Sequence, residues 1–260
     1  MAKTKPHVVI TRPSGPYAGA ERMAEQLRER GFEPVEFPVL TCVPREPSSE
    51  TIVRLGQLAS DASVMWLAFL SPTAVVVWSA LAERFQVMKT IQGKARLAAQ
   101  GSGTAKACEE HFGRSPDFVP SVFVAEEFAR ELCEIVSASD RVLVPQSAEG
   151  RDMLAPTLAI RGVRAESFQL YGLEVVTPPA ELFARLGLLP DETTAVVFMS
   201  PSAVRAAMRV AGDAIRRKRV VSVGPITSQE IRLFGLSVWA EAREHSEKGV
   251  LEVLDSLLPR

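Results

Sequence analysis

The chain has 260 residues, of which 47% are hydrophobic and 23% are charged. This balance is typical of a globular protein and excludes a disordered, collagenous or fibrous chain. Its 30 Lys and Arg nearly match its 31 Asp and Glu, and the resulting net charge of −1 disfavours non-specific nucleic-acid binding. The longest strongly apolar run, residues 64–70, is shorter than a membrane span of about 20 residues, and no apolar signal core precedes the first predicted strand. We therefore expect a cytoplasmic protein with no membrane segment.

Short apolar segments alternate with helical patterns along the chain. Residues 8–11, Val-Val-Ile-Thr, have the composition of a buried strand. Met23, Ala24 and Leu27 then follow at helical spacing, and Gly31 ends that helix. Further extended segments are predicted at residues 35–43, 64–70, 96–99, 117–119, 141–144, 165–170, 195–199, 220–223 and 236–239. Strands that alternate with helices in this way predict parallel sheets covered on both faces.

Part of the sequence recurs about half the chain length later. Residues 69–75, Phe-Leu-Ser-Pro-Thr-Ala-Val, resemble residues 198–204, Phe-Met-Ser-Pro-Ser-Ala-Val. Residues 101–104, Gly-Ser-Gly-Thr, resemble residues 224–227, Gly-Pro-Ile-Thr. The strand and helix at the start of the chain match residues 142–162 at a similar offset. Three matches in the same order favour two α/β units of one design over a chance similarity of short fragments.

Two long extended stretches could connect these units. Residues 35–44 and 165–178 contain no helical pattern, so each could run from one unit to the other. The first unit would then be built from both chain ends, with the second inserted into it. The predicted division is residues 1–38 and 173–260 for the first unit, 44–166 for the second, and 39–43 and 167–172 for the linker strands.

The repeated Ser-Pro pairs indicate helix starts. Ser71 and Ser200 each follow an apolar strand, and serine followed by proline is favoured at the N-cap and first helical position. These serines could therefore be caps alone. Alternatively, they could also contact a ligand, because helix N-termini attract anions and lie at the carboxyl ends of the strands, where open parallel sheets bind ligands.

The glycine turns argue against a nucleotide cofactor. The sequence Gly101-x-Gly103 begins a dinucleotide fingerprint, but Lys106 stands where the third glycine is required. The second copy keeps only Gly224, and no phosphate-binding loop or G-x-S-x-G elbow is present. We therefore reject NAD binding, and we do not expect a hydrolase. In both turns, the threonine could cap the helix or contact a ligand.

Cysteine and histidine give no metal-binding pattern. The three cysteines form no C-x-x-C pair, and the three histidines are scattered along the sequence. A Cys–His nucleophile pair is possible from the sequence, although an unpaired cysteine is more often a small buried hydrophobe.

Three other polar features are Arg12, Tyr171 and a basic run, and the first two have two interpretations each. Arg12 ends the first strand and is either solvated or directed at an anionic ligand. Tyr171 lies in the second extended stretch and is either half-buried packing or, near a cleft, a proton donor. The basic run of residues 216–219 is predicted to be a solvated helix end, which the helix dipole favours.

Together, these features resemble the uroporphyrinogen-III synthase family, over nearly the whole chain. The resemblance rests on their order: Thr11-Arg12-Pro13, Gly31, Pro38, Ser71-Pro72-x-Ala74-Val75, Gly101-x-x-Thr104-Ala105, Gly150-Arg151 with Leu154, Leu158 and Gly162, Tyr171, Ser200-Pro201-Ser202-Ala203-Val204 and Gly224-x-x-Thr227. The chain departs from the family at Pro145-Gln146-Ser147, where bacterial relatives often have an Arg, and at Pro225 and Ser228.

The resemblance implies two flavodoxin-like parallel-sheet domains, a two-stranded linker and an active site in the cleft. It implies an enzyme that closes hydroxymethylbilane, a linear tetrapyrrole with eight carboxylates, to uroporphyrinogen III, with loss of water and inversion of the last ring. It implies no metal or organic cofactor, and Tyr171 as the general acid. The implied substrate-binding residues are Arg12, Ser71, Gly103, Thr104, Gln146, Ser147, Ser200, Ser202 and Thr227.

Two alternatives compete with this interpretation. A two-domain protein that binds a tetrapyrrole or another polyanion without catalysis would have nearly the same sequence. An unrelated α/β enzyme could act on a phosphorylated or nucleotide ligand, although the broken fingerprint argues against it. We expect a monomer, because no heptad seam is visible. We also expect a transient contact with hydroxymethylbilane synthase.

Overall fold

The computed structural model describes residues 5–13, 20–61, 65–150 and 152–257. Two residues named above, Val64 and Arg151, lie outside them. The described chain forms two compact units. Unit 1 comprises the residues up to Cys42 and from Glu174 onward, and unit 2 is Val43–Leu173. Each unit contains one five-stranded sheet.

Unit 1 has a fully parallel sheet with the strand order β2-β1-β8-β9-β10. Taken in chain order within the unit, this is the 2-1-3-4-5 order of a flavodoxin-like fold. Its elements are β1 (His7–Ile10), α1 (Ala20–Glu29), β2 (Glu33–Glu36), α8 (Ala180–Leu188), β8 (Thr194–Phe198), α9 (Pro201–Ile215), β9 (Arg219–Ser222), α10 (Pro225–Leu233), β10 (Val238–Glu241) and α11 (Glu247–Leu257).

Unit 2 has a similar architecture, but the chain enters its sheet at an edge strand, β3. Its sheet order is β3-β7-β6-β4-β5, and the four strands from β7 to β5 are parallel. Its elements are β3 (Leu40–Pro44), α2 (Ser49–Ser60), β4 (Met65–Phe69), α3 (Pro72–Ala82), α4 (Gln86–Lys94), β5 (Arg96–Ala99), α5 (Ser102–Phe112), α6 (Ala125–Ile135), β6 (Arg141–Ser147), α7 (Leu154–Ile160) and β7 (Arg164–Val175).

The apolar runs of the sequence form the central strands. All five residues of β4 and all five of β8 are buried, as expected for strands that are covered on both faces. In unit 1, Met23 and Leu27 of α1 and Leu254 of α11 pack into the same core as Val8 and Val197. The predicted α/β class with two parallel sheets is therefore confirmed.

The two strands that connect the units pair with each other. β3 contains the boundary after Cys42, and β7 contains the boundary after Leu173. The amide of Arg45 donates to the carbonyl of Leu170 at 2.7 Å. The amide of Val176 donates to the carbonyl of Val39 at 3.0 Å. These bonds require β3 and β7 to run in opposite directions.

The strand predicted at residues 117–119 is wrong. Phe118 forms only an isolated parallel bridge to Ala98. The Asp117 carboxylate accepts the Leu97 amide at 2.7 Å, in competition with a backbone ladder. Pro116 and Pro120 bracket the segment and supply no amide donor. The corresponding segment of unit 1, which lacks these prolines, forms β10.

The basic run after α9 is a solvated helix end only in part, because Arg216 and Arg217 are exposed whereas Lys218 is buried. The side chain of Lys218 has no exposed surface, and its Nζ donates to the carbonyl of Leu189 and the carboxylate of Asp191. The guanidinium of Arg219 lies 4.7 Å from the Trp239 ring centroid, and Arg216 donates to the carbonyl of Phe234 at 3.0 Å. Arg216, Lys218 and Arg219 therefore tie α9 and β9 to neighbouring segments of unit 1.

Replacement of Lys218 by alanine is expected to lower the free energy of unfolding by about 1–3 kcal/mol, because it leaves the Leu189 carbonyl without its buried donor. Urea unfolding measures this loss. Arg217→Ala, at the exposed neighbouring position, should stay within about 0.5 kcal/mol of the parent. Equal losses in the two variants would contradict a specific role for Lys218.

None of the helices in the described part of the chain combines the length and the hydrophobicity that a bilayer span requires.

Candidate functional site

The predicted site residues of unit 2 lie at the carboxyl ends of its parallel strands. Ser71 follows β4, Thr104 lies in the first turn of α5 after β5, and Gln146 and Ser147 end β6. Tyr171, on β7, pairs with Ser147 in the sheet register. Ligands bind at this edge in open α/β sheets, close to the switch point that here separates β4 from β6. The fold thus brings these separated residues to one edge.

Ser71 joins the start of α3 to Tyr171. Its Oγ accepts the Ala74 amide at 3.2 Å, which makes it the N-cap that the sequence predicts. The same Oγ lies 3.2 Å from the Tyr171 hydroxyl, and the tyrosine is 6% exposed. Since the cap uses a lone pair of the serine oxygen, the serine proton is available to donate to the phenol oxygen. Ser71 can therefore orient the phenol while it caps the helix.

The turn before α5 combines a tight glycine with a buried threonine. A Cβ on Gly101 would lie 3.2 Å from Cγ of Phe123, whereas a Cβ on Gly103 would meet only Pro72, at 3.7 Å. Packing therefore favours glycine at position 101 more than at 103. Thr104 is 4% exposed, and its hydroxyl makes no hydrogen bond within the described residues.

Gln146 has a buried oxygen without a partner. The side chain is 7% exposed, and no described residue donates a hydrogen bond to its Oε1. The next residue, Ser147, accepts the Gly150 amide at 3.1 Å in a tight turn. An unsatisfied buried acceptor costs about 1–3 kcal/mol, so the amide group of Gln146 suits a ligand or water that supplies the missing bond.

Unit 1 presents a second set of these groups. Ser200 caps α9 through the Ala203 amide at 3.2 Å, just as Ser71 caps α3. Ser202 is half-buried and accepts a bond from Arg205 at 3.3 Å. Thr227, in the first turn of α10, is 3% exposed, and among the described residues its hydroxyl has no hydrogen-bond partner. The repeat in the sequence is therefore a repeat of hydroxyl groups at the same edge of each sheet.

Arg12 and Gln146 occupy equivalent places in the two sheets. Val9 of β1 pairs with Val196 of β8, four residues before Ser200. Leu143 of β6 pairs with Leu67 of β4, four residues before Ser71. Three residues further along, the chain reaches Arg12, just after the end of β1, and Gln146, the second-last residue of β6. The same position therefore carries a cation in unit 1 and a neutral amide in unit 2.

Arg12 is paired in the structure. Its guanidinium donates to the Glu247 carboxylate, and both side chains are 15% exposed. Arg22 on α1 approaches the other oxygen of the same carboxylate at 3.5 Å. Nothing in the local sequence pattern indicates Arg22 or Glu247, because Glu247 lies 235 residues from Arg12. The His245 ring packs against Gly224, since its Cδ2 would lie 2.9 Å from a Cβ at that position.

Two of the three cysteines, Cys108 and Cys133, are poorly suited to nucleophilic catalysis. Burial raises the pKa of the Cys108 thiol to about 12 and also raises that of Cys133. A thiol with a raised pKa carries little thiolate near neutral pH, and the thiolate is the nucleophile. Within the described ranges, no group of three or more His, Cys, Asp or Glu residues could hold a metal ion.

Comparison with known proteins identifies the family. The model of uroporphyrinogen-III synthase HemD matches residues 21–252. A Methanocaldococcus jannaschii protein, provisionally named a uroporphyrinogen-III synthase, is 28% identical over 259 residues, which cover 97% of this chain and 99% of its own.

Two solved structures agree with the fold. Uroporphyrinogen-III synthetase of Helicobacter pylori has a TM-score of 0.64 at 17% identity and covers 98% of this chain and 100% of its own. A mutant uroporphyrinogen III synthase of Thermus thermophilus has a TM-score of 0.58 at 21% identity, with 97% and 98% covered. The structural likeness supports the fold, and the family match extends over most of the sequence. The chain therefore belongs to the uroporphyrinogen-III synthase HemD family.

Proposed function

We propose that the protein converts hydroxymethylbilane to uroporphyrinogen III, with loss of water and inversion of the last pyrrole ring. The observation that carries this proposal is the family match to residues 21–252. Members of this family are enzymes of the lyase type in porphyrin biosynthesis, so the match favours catalysis over the non-catalytic binding protein. We also propose that the protein is a monomer in the cytoplasm. We propose that it contacts hydroxymethylbilane synthase transiently.

The substrate carries eight carboxylates, and the protein offers dispersed donors for them. Both units present helix N-termini at the carboxyl edges of their sheets, after Ser71 and Gly101 in unit 2 and after Ser200 and Gly224 in unit 1. The amides of such helix starts favour anions without a large basic surface. We propose that they, with the hydroxyls of Thr104 and Thr227, hold the bilane in the folded geometry that leads to ring inversion.

Proton transfer to the leaving group is assigned to Tyr171. The bond between the hydroxymethyl carbon and its oxygen breaks, and both electrons remain with the oxygen. The phenol proton completes the departing water, and the pyrrole nitrogen stabilises the carbon left behind. The proton released when the new macrocycle regains its aromatic pyrroles then returns to the phenolate. The Ser71 hydroxyl, 3.2 Å from the phenol oxygen, orients the group for this transfer.

A coupled assay tests the proposal. Porphobilinogen and hydroxymethylbilane synthase generate the bilane, this protein is added, and the products are oxidised and separated as porphyrin isomers. We expect isomer III to replace the isomer I that forms without an enzyme. If the folded protein with fresh bilane yields only isomer I, the catalytic proposal fails and the binding protein takes its place.

Thr104→Val and Thr227→Val are each expected to raise the KM for the bilane about two- to tenfold, the effect of one lost hydrogen bond. Because neither hydroxyl has a partner within the described protein, the melting temperature should fall little. Thr90→Val is the matched control, since its exposed hydroxyl donates to the Gln86 carbonyl within α4. Steady-state kinetics and thermal melts measure the effects. An unchanged KM in both site variants would remove the threonines from substrate binding.

A further inference from the structure

The two arginines beside the end of β1 hold a carboxylate of the protein itself. Arg12 contacts Oε2 of Glu247, and Nε of Arg22 lies 3.5 Å from Oε1. Arg12 and Glu247 are each 15% exposed, and Arg22 is 31% exposed. One carboxylate thus receives two guanidinium groups on its two oxygens. Arginine pairs of this kind bind carboxylates through short, charge-assisted hydrogen bonds.

The Glu247 carboxylate lies where ligands usually bind in a sheet of this kind. Arg12 follows β1 at the carboxyl edge of the unit 1 sheet, and β1 and β8 flank the switch point of that sheet. Glu247 is the first residue of α11, which begins at a Ser246 cap whose Oγ accepts the Gly249 amide at 3.1 Å. A residue at the very start of a helix can be separated from its partner without disruption of the helical hydrogen bonds.

We propose that Arg12 and Arg22 form a carboxylate-binding site for the substrate, which Glu247 occupies in the ligand-free protein and vacates when the substrate binds. This inference rests on the proposed function, since a bilane with eight carboxylates supplies the group that replaces Glu247. The exchange substitutes one carboxylate for another, so the arginines are never left unpaired at a partly buried position. Glu247 therefore competes with every anion for the two arginines, and an anion that binds them weakly does not displace it.

Glu247→Gln removes the competing charge and keeps the size of the side chain. We expect the KM for hydroxymethylbilane to fall about three- to tenfold, the range of a partly exposed ion pair, while kcat stays the same. The matched control is Glu252→Gln on the same helix. Glu252 is 58% exposed and approaches Lys248 at 3.7 Å, and its replacement should leave the KM unchanged.

A double mutant separates competition from a structural role. Arg12→Gln is expected to raise the KM, and Arg22→Gln to raise it less. In the Arg12→Gln background, Glu247→Gln should lower the KM less than it does in the parent, because only Arg22 is then left for Glu247 to block. If Glu247→Gln lowers the melting temperature and leaves the KM unchanged or higher, the ion pair only fastens α11 to β1, and the inference is overturned.

Binding of uroporphyrin III, an octacarboxylate tetrapyrrole, separates this inference from the proposed function. Its quenching of tryptophan fluorescence gives a dissociation constant that does not depend on turnover. We expect Glu247→Gln to bind it about three- to tenfold more tightly than the parent. Tighter binding by the variant, together with no isomer III from the parent, would support the carboxylate site and overturn the catalytic proposal. Isomer III from the parent, with no effect of Glu247→Gln on binding or KM, would overturn the carboxylate site alone.

Discussion

Replacement of Tyr171 by phenylalanine is expected to lower the rate of isomer III formation by about 10²- to 10⁴-fold, the range for loss of a general acid. The change removes one oxygen atom, at a position where the ring is almost fully buried, so the packing of β7 should persist. Because the bilane also closes without an enzyme, the ratio of isomer III to isomer I is the sensitive measurement. We expect isomer I to dominate in the variant.

Two serine variants provide the matched controls. Ser71→Ala and Ser200→Ala each remove an N-cap that accepts one amide at 3.2 Å, so each should cost about 1 kcal/mol of stability. Ser71 also contacts Tyr171, and its loss should slow turnover more than the loss of Ser200. Full turnover by Tyr171→Phe would remove the phenol from the acid role. Equal turnover by the two serine variants would show that Ser71 does not orient it.

Gly249→Ala is expected to destabilise the protein by about 3 kcal/mol, the upper end of the usual range for overpacking. A Cβ at this position would lie 2.1 Å from the carbonyl oxygen and 3.0 Å from the carbonyl carbon of Glu244. These are backbone atoms, so the loop before α11 must move, and overpacking of this kind costs about 1–3 kcal/mol or more. Chemical unfolding measures the loss. Since α11 begins at Glu247, the variant should also disturb the pairing with Arg12.

Gly56→Ala, in unit 2, is expected to change the stability in the opposite direction. Gly56 lies within α2, and a Cβ there would meet nothing within 4 Å. Alanine should therefore stabilise the helix by about 0.5–1 kcal/mol. Destabilisation by both alanine variants, or by neither, would contradict an argument based on the space around each glycine.

The fold was predictable because apolar runs and turn residues act locally. The runs that became β4 and β8 are buried at every position, and the Ser-Pro pairs that follow them cap helices as expected. The strand prediction for residues 117–119 was wrong because the Asp117 carboxylate accepts the hydrogen bond of the Leu97 amide. A period-based prediction counts apolar residues and does not register such a competitor.

The candidate site was predictable in part. Helix caps and strand ends led to Ser71, Thr104, Ser200 and Thr227, whose contacts with the substrate stay a prediction. Lys218 was misjudged, because its partners, Leu189 and Asp191, come from an earlier segment that packs against it. Glu247 was missed for the same reason. Partners that are distant in sequence are set by the sheet topology, which local spacing does not encode.

The antiparallel pairing of β3 with β7 suits an origin in which one unit was inserted into the other. Cys42 ends one part of unit 1 and Glu174 begins the other, next to the bond between the Val176 amide and the Val39 carbonyl. A short hairpin turn between neighbouring antiparallel strands would close unit 1 as a continuous flavodoxin-like domain. Unit 2 likewise begins and ends on these adjacent strands. A duplicated copy, permuted so that its ends met, could therefore enter such a hairpin without breaking the strand order of the host.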